Sequence, residues 1–262
     1  MENDLKNKEM SYLVGLFQTD GNLYETDRNR GKFKLELNIR DEDIIYKISN
    51  LIKYNYKISK RERITNFGES STISITVCNI NFRNLLKDWG VPAGKKSEII
   101  EPPFHKSELS TNDYIRGLYD GDGSIGYTKN EFPFVSFVTK SEKTKDFLVD
   151  FISKITLNPK KELKRNKRDG VYNISITKED AVIFCNEIYS EDCLSINRKY
   201  IKAQEVKKWE RPKNMKRRDC QRKKWTKEED EFIQTNSIEK CLEKLNRNEY
   251  GIKTRLWKLK KI

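Results

Sequence analysis

Histidine is nearly missing from this sequence: His105 is the only one in 262 residues. Cysteine is scarce and falls into no pattern, since Cys78, Cys185, Cys193, Cys220 and Cys241 form no CxxC pair. Together these gaps exclude a zinc framework and a disulfide scaffold, and they suit a reducing compartment. There is no secretory h-region, and no apolar run approaches the roughly 20 residues that a bilayer-spanning helix needs. Proline is also rare; three of the six prolines crowd into "VPAGKKSEIIEPPFHKSELS" (91–110), a natural linker. Negative charge is in deficit, with 40 Asp and Glu against 53 Lys and Arg, a net +13. The excess is local. From Lys207 to Ile262 there are 19 basic residues and 9 acidic ones, so this segment holds +10 and the preceding 206 residues only +3. Composition alone leaves two readings of the basic end open, a solvated tail or a segment that binds an anionic polymer such as nucleic acid.

What is present is a duplication. "SYLVGLFQTDGNL" (11–23) and "DYIRGLYDGDGSI" (113–125) align without gaps, pairing Tyr12 with Tyr114, Gly15 with Gly117, Leu16 with Leu118, Asp20 with Asp122 and Gly21 with Gly123. A second echo, "ISIT" at 73–76 and 174–177, supports the same repeat. A period of about 100 residues is too long for a solenoid unit and fits a duplicated domain. Each copy carries the same order of patterns. In the first, "NLYETDR" and the alternating "KFKLELNIR" predict two strands, a helix begins near Asp41, "YKISKRERI" and "STISITVCN" predict a hairpin, and a helix ends near Trp89-Gly90. In the second, "SIGYTK", "FPFVSFVTK", a helix over 141–157, "KELKRNK", "VYNISITK" and a helix from about Glu179 follow in the same sequence. The expectation is αββαββα twice.

Each motif helix is apolar on nearly every side, which predicts burial on every side. Each also carries small residues four apart, Gly15 with Thr19 and Gly117 with Gly121. A mid-helix glycine costs roughly 1 kcal/mol against alanine, and close approach of two helix backbones supplies the packing reason. Gly21 and Gly123 are expected to end the helices in the left-handed C′ conformation. Asp20 and Asp122 then lie close together at two negative helix poles, where like charges repel. A hard divalent cation between them resolves the repulsion. Mg²⁺ takes one or two protein carboxylates and completes its shell with water and phosphate oxygens, which points to metal-assisted phosphodiester hydrolysis.

"LVGLFQTDG" (13–21) and "IRGLYDGDG" (115–123) resemble the two signature motifs of single-chain LAGLIDADG homing endonucleases. The resemblance covers residues 10 to about 205, and "CLSINRKYIKAQEV" (193–206) looks like the family's usual domain end. It implies an α+β fold of two pseudo-symmetric αββαββα halves, each with an antiparallel, saddle-shaped sheet over the DNA major groove. It implies cleavage of both strands across the minor groove, with Asp20 and Asp122 binding metal and Gly21 and Gly123 completing the metal site. Mg²⁺ is the implied cofactor, with Mn²⁺ or another divalent ion as a substitute. Gln18 departs from the acid usual at the sixth motif position, which Asp120 keeps; that position is not the family's metal ligand. Arg40, Lys140 and Lys178 are candidate catalytic residues by register, and a solvated strand-end charge is the alternative for each. Candidate DNA contacts in the first half are Lys32, Lys34, Glu36, Asn38, Lys60, Arg61 and Arg63; in the second they are Lys164, Arg165 and Lys167.

The basic stretch "KKWERPKNMKRRDCQRKKW" (207–225), with Lys216, Arg217 and Arg218, is expected to track phosphates. Beyond it, Thr226 and Glu229 form a capping box, and "SIEKCLEKL" and "NEYGIKTRLWKLKK" predict two more helices. This small all-α end resembles a Myb/SANT-type helix-turn-helix whose third helix would present Lys253, Thr254, Arg255 and Lys258 to DNA; a helical appendage that only stabilises the core is the alternative. The expected organisation is a first half over 1–92, a linker over 93–110, a second half over 111–206, a basic linker over 207–224 and the module over 225–262. The whole is expected to be an intracellular monomer, in the cytoplasm of a bacterium or phage-infected cell or in an organelle. Its partner would be a long double-stranded DNA site, and intron homing its setting. An intron maturase that binds RNA, or a nucleic-acid-binding regulator without cleavage, stays open on the same fold.

Overall fold

The computed structural model describes residues 7–65, 68–159, 162–213, 215 and 225–259. The chain divides into two compact units, Met1–Arg211 and Pro212–Ile262. In the first unit, α1 (Asn7–Thr19) leads into β1 (Gly21–Glu25) and β2 (Gly31–Asn38). A single 3-10 turn (Ile39–Asp41) precedes α2 (Glu42–Leu51), which is followed by β3 (Tyr56–Thr65), β4 (Gly68–Val77) and α3 (Ile80–Asp88). The second half repeats the plan with α4 (Thr111–Gly121), β5 (Gly123–Tyr127), β6 (Pro133–Thr139), α5 (Glu142–Thr156), β7 (Tyr172–Thr177), α6 (Glu179–Ile188) and α7 (Asn197–Lys207). Both sheets are antiparallel, ordered β1-β2-β4-β3 and β5-β6-β7.

The strand expected over "KELKRNK" is not formed: residues 162–167 hold no strand, and the turn around Gly170 closes through Asn166 and Val171. The segment offers the sheet one apolar side chain, Leu163, which packs on the core without a second residue to alternate with it. The second sheet therefore has three strands where the first has four. Pairing also shifts the "ISIT" echo. Leu35 and Phe137, 102 residues apart, pair with Ile75 and Ile174, which are 99 apart. The sequence echo equates Ile73 with Ile174 instead, a slip of two residues that keeps the same face inward.

Alternation explains the layers. In β2 the buried residues Phe33, Leu35 and Leu37 face the helices while Lys32, Lys34, Glu36 and Asn38 face outward. A single core joins both halves, with Tyr12, Leu16, Phe17, Tyr114, Leu118 and Tyr119 of the motif helices fully buried at its centre. In the second unit, α8 (Lys227–Thr235), α9 (Ile238–Lys244) and α10 (Glu249–Leu259) pack around Ile233, Cys241 and Ile252. Thr226 and Glu229 cap α8 reciprocally, each backbone N–H donating to the other's side chain at 3.2 Å. Among the described residues no helix is long and apolar enough to cross a membrane.

Candidate active site

Helices α1 and α4 lie side by side, and glycine makes the approach possible. A Cβ at Gly15 would run into the Tyr114 carbonyl and come within 2.8 Å of the Leu118 nitrogen; at Gly117 it would run into the Tyr12 carbonyl and come within 2.8 Å of the Leu16 nitrogen. The contacts are reciprocal, as a pseudo-twofold axis between the helices requires. One turn further on, Gly121 packs on Thr19, with no space for a side chain. Gly21 and Gly123 act differently from the expected left-handed caps. Neither has a positive φ, and each is the first residue of the next strand. Glycine is needed there for room: a Cβ at Gly21 would stand 2.7 Å from the Phe17 carbonyl and the Phe33 ring, and one at Gly123 would stand 2.6 Å from Tyr119.

This packing brings Asp20 and Asp122 to matching helix ends, where their N–H groups close the last turns onto Leu16 and Leu118 at 3.0 Å. Asp20 is half-buried, and its carboxyl is pushed up to about 6, first by loss of hydration and then by the charge of Asp122. Asp122 is more open to solvent, yet it sits low enough in the cleft for loss of hydration to raise its carboxyl too, against the pull of Lys96 and Lys199.

Those two lysines were not singled out from the sequence, and they complete the symmetry. Lys96 of the linker donates to the carbonyls of Phe17, at 2.9 Å, and Gly21. Lys199 of α7 donates to Tyr119 at 2.7 Å, Gly121 at 3.1 Å and Gly123 at 2.8 Å. Each ammonium thus satisfies the free carbonyls at the end of one motif helix and places positive charge at its negative pole. Loss of hydration lowers both, Lys96 to about 8, while the nearby acids hold their protons on. The Gly21 and Gly123 carbonyls therefore face lysine. A signal existed in the chain: the lysines follow their motif glycines by 75 and 76 residues, each next to a second basic residue, in "GKKS" and "NRKY".

The sixth motif position holds the segments that carry these lysines. Gln18 donates to the carbonyls of Gly90 at 2.8 Å and Glu101 at 2.9 Å, gripping both ends of the stretch around Lys96, and accepts from Tyr114 at 2.6 Å. Asp120 accepts from the Ile196 N–H at 2.7 Å, at the start of α7, and from Tyr12 at 2.7 Å and Tyr189 at 2.8 Å. The bonds from Tyr114 to Gln18 and from Tyr12 to Asp120 cross between the halves. Amide and carboxylate do one job with different chemistry, because the segment around Lys96 offers carbonyls and the start of α7 offers a donor.

The other residues singled out from the sequence are dispersed. Lys140, just past β6, lines a cleft of about 180 Å³ with Lys96, Asp122, Gln18 and Thr19. Arg40 is exposed in the 3-10 turn, 3.9 Å from Asp41, whose carboxylate already accepts from Nε and Nη2 of Arg198 at 2.8 and 2.9 Å. Lys178 is not brought to the acids. It follows Thr177, which pairs with Phe134 at the end of the sheet away from the Gly123–Phe137 pair, and its ammonium lies over the Phe132 ring at 4.8 Å.

On the outward face of the first sheet stand Lys32, Lys34, Glu36 and Asn38, with Arg61 and Arg63 of β3 in register beside Thr72 and Ser70. Lys60 does not join them. It pairs with buried Ile73, has the opposite parity, and donates to Glu42 of α2 at 2.6 Å. Lys164, Arg165 and Lys167 lie in the loop that replaces the missing strand, where Arg165 donates to the Lys140 carbonyl at 3.3 Å. In the second unit, Lys253 pairs with Glu249 at 2.5 Å and Lys258 is exposed, while Thr254 is half-buried. Arg255 is not presented outward: its guanidinium forms a fork on Asp230 of α8 at 2.7 and 2.5 Å. Lys216, Arg217 and Arg218 lie outside the described residues.

Comparison with known proteins gives one family match: residues 111–189, from α4 to the end of α6, match a LAGLIDADG-like domain. No curated protein matches the chain. Among solved structures, the homing endonuclease I-WcaI bound to its DNA recognition sequence superposes with a TM-score of 0.57 at 17% identity, over 78% of this chain and 88% of that one. A point mutant of I-SmaMI gives 0.48 at 11% identity, over 76% and 89%. I-SmaMI bound to an uncleaved DNA target with calcium gives 0.43 at 10%, over 71% and 83%. The first of these shows that the two halves share the I-WcaI fold.

Proposed function

We propose that the protein is a LAGLIDADG homing endonuclease, a monomer that hydrolyses both strands of a specific DNA site with a divalent cation held by Asp20 and Asp122. One observation carries the reading. Two motif helices are locked together through Gly15, Gly117 and Gly121 so that two mutually repelling carboxylates meet at their ends, an arrangement that costs stability unless a cation shares them. Among the described residues no group of three or more His, Cys, Asp or Glu converges. A pair of carboxylates fits Mg²⁺, which keeps several waters and takes phosphate oxygens for the rest of its shell. When bound there, the cation would activate water and stabilise the departing oxygen.

The chain's own groups do the remainder. Asp20 and Asp122 would hold the cation between the two halves; burial raises both carboxyls, that of Asp20 to about 6, so Asp20 is free to take a cation only above that pH. Lys96 and Lys199 offset the negative field of two helix ends, which would otherwise repel a phosphate approaching the acids. Gln18 and Asp120 hold those lysines in place. The outward sheet faces contact the duplex, and the basic segment with its three-helix module extends the phosphate contacts, as a helix-turn-helix would.

The test uses the full chain with Mg²⁺ and a randomised duplex library, sequencing broken ends. Cleavage at a defined site is expected, with Asp20→Asn and Asp122→Asn each lowering the rate by at least about a thousandfold, because loss of one cation ligand removes several kcal/mol of transition-state stabilisation. Wild type that binds RNA tightly and cuts nothing would sink the enzyme reading. Normal cutting by both variants would sink the site.

A further inference from the structure

The two sheets share a fold but not a surface. Facing outward from the first are Lys32 and Lys34 on β2 and Lys57, Arg61 and Arg63 on β3, set among the hydroxyls of β4. Glu36 lies in their midst, bonded to Lys34, to Thr72 at 3.2 Å and to Arg63 at 3.3 Å, and these contacts hold its carboxyl below the usual range. This network fixes the direction of a carboxylate and two cations on an otherwise open face. In register on the second sheet stand Ser124, Ser136 and Ser175 in one row, Gly126, Phe134 and Thr177 in the next, and Val138 with Asn173 in a third. No described residue on that face is charged. The fourth strand is missing as well, so the face is narrower by one strand spacing, about 4.8 Å. Its positive charge lies beyond the strands, at exposed Lys140 just past β6 and in the 162–170 loop with Lys164, Arg165 and Lys167.

We propose that the two halves divide recognition unequally: the N-terminal sheet reads a G·C-containing half-site by direct charged contacts, and the C-terminal sheet meets a tolerant, A·T-rich half-site. The proposal rests on the endonuclease reading, since it takes duplex DNA as the partner of both faces. Arg and Lys pair with guanine O6 and N7, and a carboxylate accepts from the cytosine amine; these contacts reject the wrong base strongly. Serine and threonine hydroxyls bond to several bases alike, and the exposed Val138 and the Phe134 ring offer only apolar contact, which suits a thymine methyl. Lys164 and Lys167, on a loop rather than a strand, suit phosphates, which position a protein without specifying sequence. A half-site held by loop charges and read mainly by hydroxyls, with Asn173 the one amide suited to adenine, discriminates weakly and favours A·T.

The experiment selects duplexes bound by the full-length protein in Ca²⁺ from libraries in which each half-site is randomised separately. One half-site is expected to be sharply specified with G·C positions, and the other to tolerate most single substitutions with less than threefold loss. Arg61→Ala with Arg63→Ala, and Glu36→Gln separately, should relax the sharp half-site by about tenfold or more at fixed positions. Asn173→Ala with Ser175→Ala should change the tolerant one by less than threefold. Lys164→Ala with Lys167→Ala should weaken binding to all sequences equally and shallow its salt dependence. Equal specification of the two half-sites, or a sharp half-site that responds to the Asn173 and Ser175 changes, would overturn the proposal while leaving the endonuclease reading intact. Absence of any sequence preference would overturn both.

Discussion

At the scale of the single residue, Asp20 shows how a side chain can be costly alone and useful with a partner. Its carboxyl titrates near 6 in the folded chain, against 3.8 ordinarily, so the folded state holds a proton that the unfolded state has lost between these values. The contribution to stability is therefore largest below pH 4 and declines as pH rises through 6. A divalent cation competes for the same carboxylate and reverses the trend. The gain in Tm on adding Mg²⁺ or Ca²⁺ is expected to be near zero at pH 5, to grow across pH 6 and to level off above pH 7; Asp20→Asn should abolish most of it. A gain that is flat with pH, measured by thermal denaturation against EDTA, would count against a cation at these acids. Lys60 offers a different residue-scale lesson. Its side of β3 was readable, because it shares parity with Ile58, and its bond to Glu42 follows from that parity. Lys178 was not readable in this way, since which end of a strand meets which helix is set by pairing register.

Among elements, the paired motif helices carry the most. Their burial and their small residues were legible because an α-helix projects residues four apart onto one face. The reciprocal clash geometry at Gly15 and Gly117 gives the pattern its physical content. Gly117→Ala must push the Tyr12 carbonyl away at the centre of the core, and should lower stability by about 3 kcal/mol, roughly 10 °C in Tm for a unit of this size. Thermal melting checks it; a change within 1 °C would mean that the helices part without cost. The failed strand over "KELKRNK" shows the limit of reasoning from a repeat. A duplicated fold predicts an element at the equivalent place, but a strand forms only if its side chains have something to bury, and one leucine is too little. The misplaced "ISIT" echo has the same origin: three fewer residues in the second half move the pairing while preserving the face.

For the whole molecule, charge is divided as sharply as structure. Residues 212–262 form their own unit and hold 16 basic residues against 8 acidic ones. Truncation after Arg211 is expected to weaken DNA binding and to shallow the slope of log K against log salt. Each phosphate that is no longer neutralised should reduce that slope by about 0.9, while the cleavage step on saturating DNA stays within threefold. Filter binding at several salt concentrations, with single-turnover cleavage beside it, measures both. An unchanged slope would leave the unit without a role on DNA. The bidentate Arg255–Asp230 pair narrows how this unit could bind, since the guanidinium joins two helices instead of facing a groove.

The sequence by itself determined the duplication, the two apolar helices with their close-packing glycines, the pair of acids at their ends, and the faces of each strand. Apart from the duplication, which the repeat itself displays, these depend on spacings of a few residues along one element, which the chain's local geometry converts directly into position. Only the tertiary structure decided that Lys96 and Lys199 cap the two helices, that Gln18 and Asp120 hold them there, that Lys178 stands at the far end of its sheet, and that the second sheet stops at three strands. These depend on which elements meet across forty residues or more, and that is settled by register and by how much apolar surface each segment has to bury.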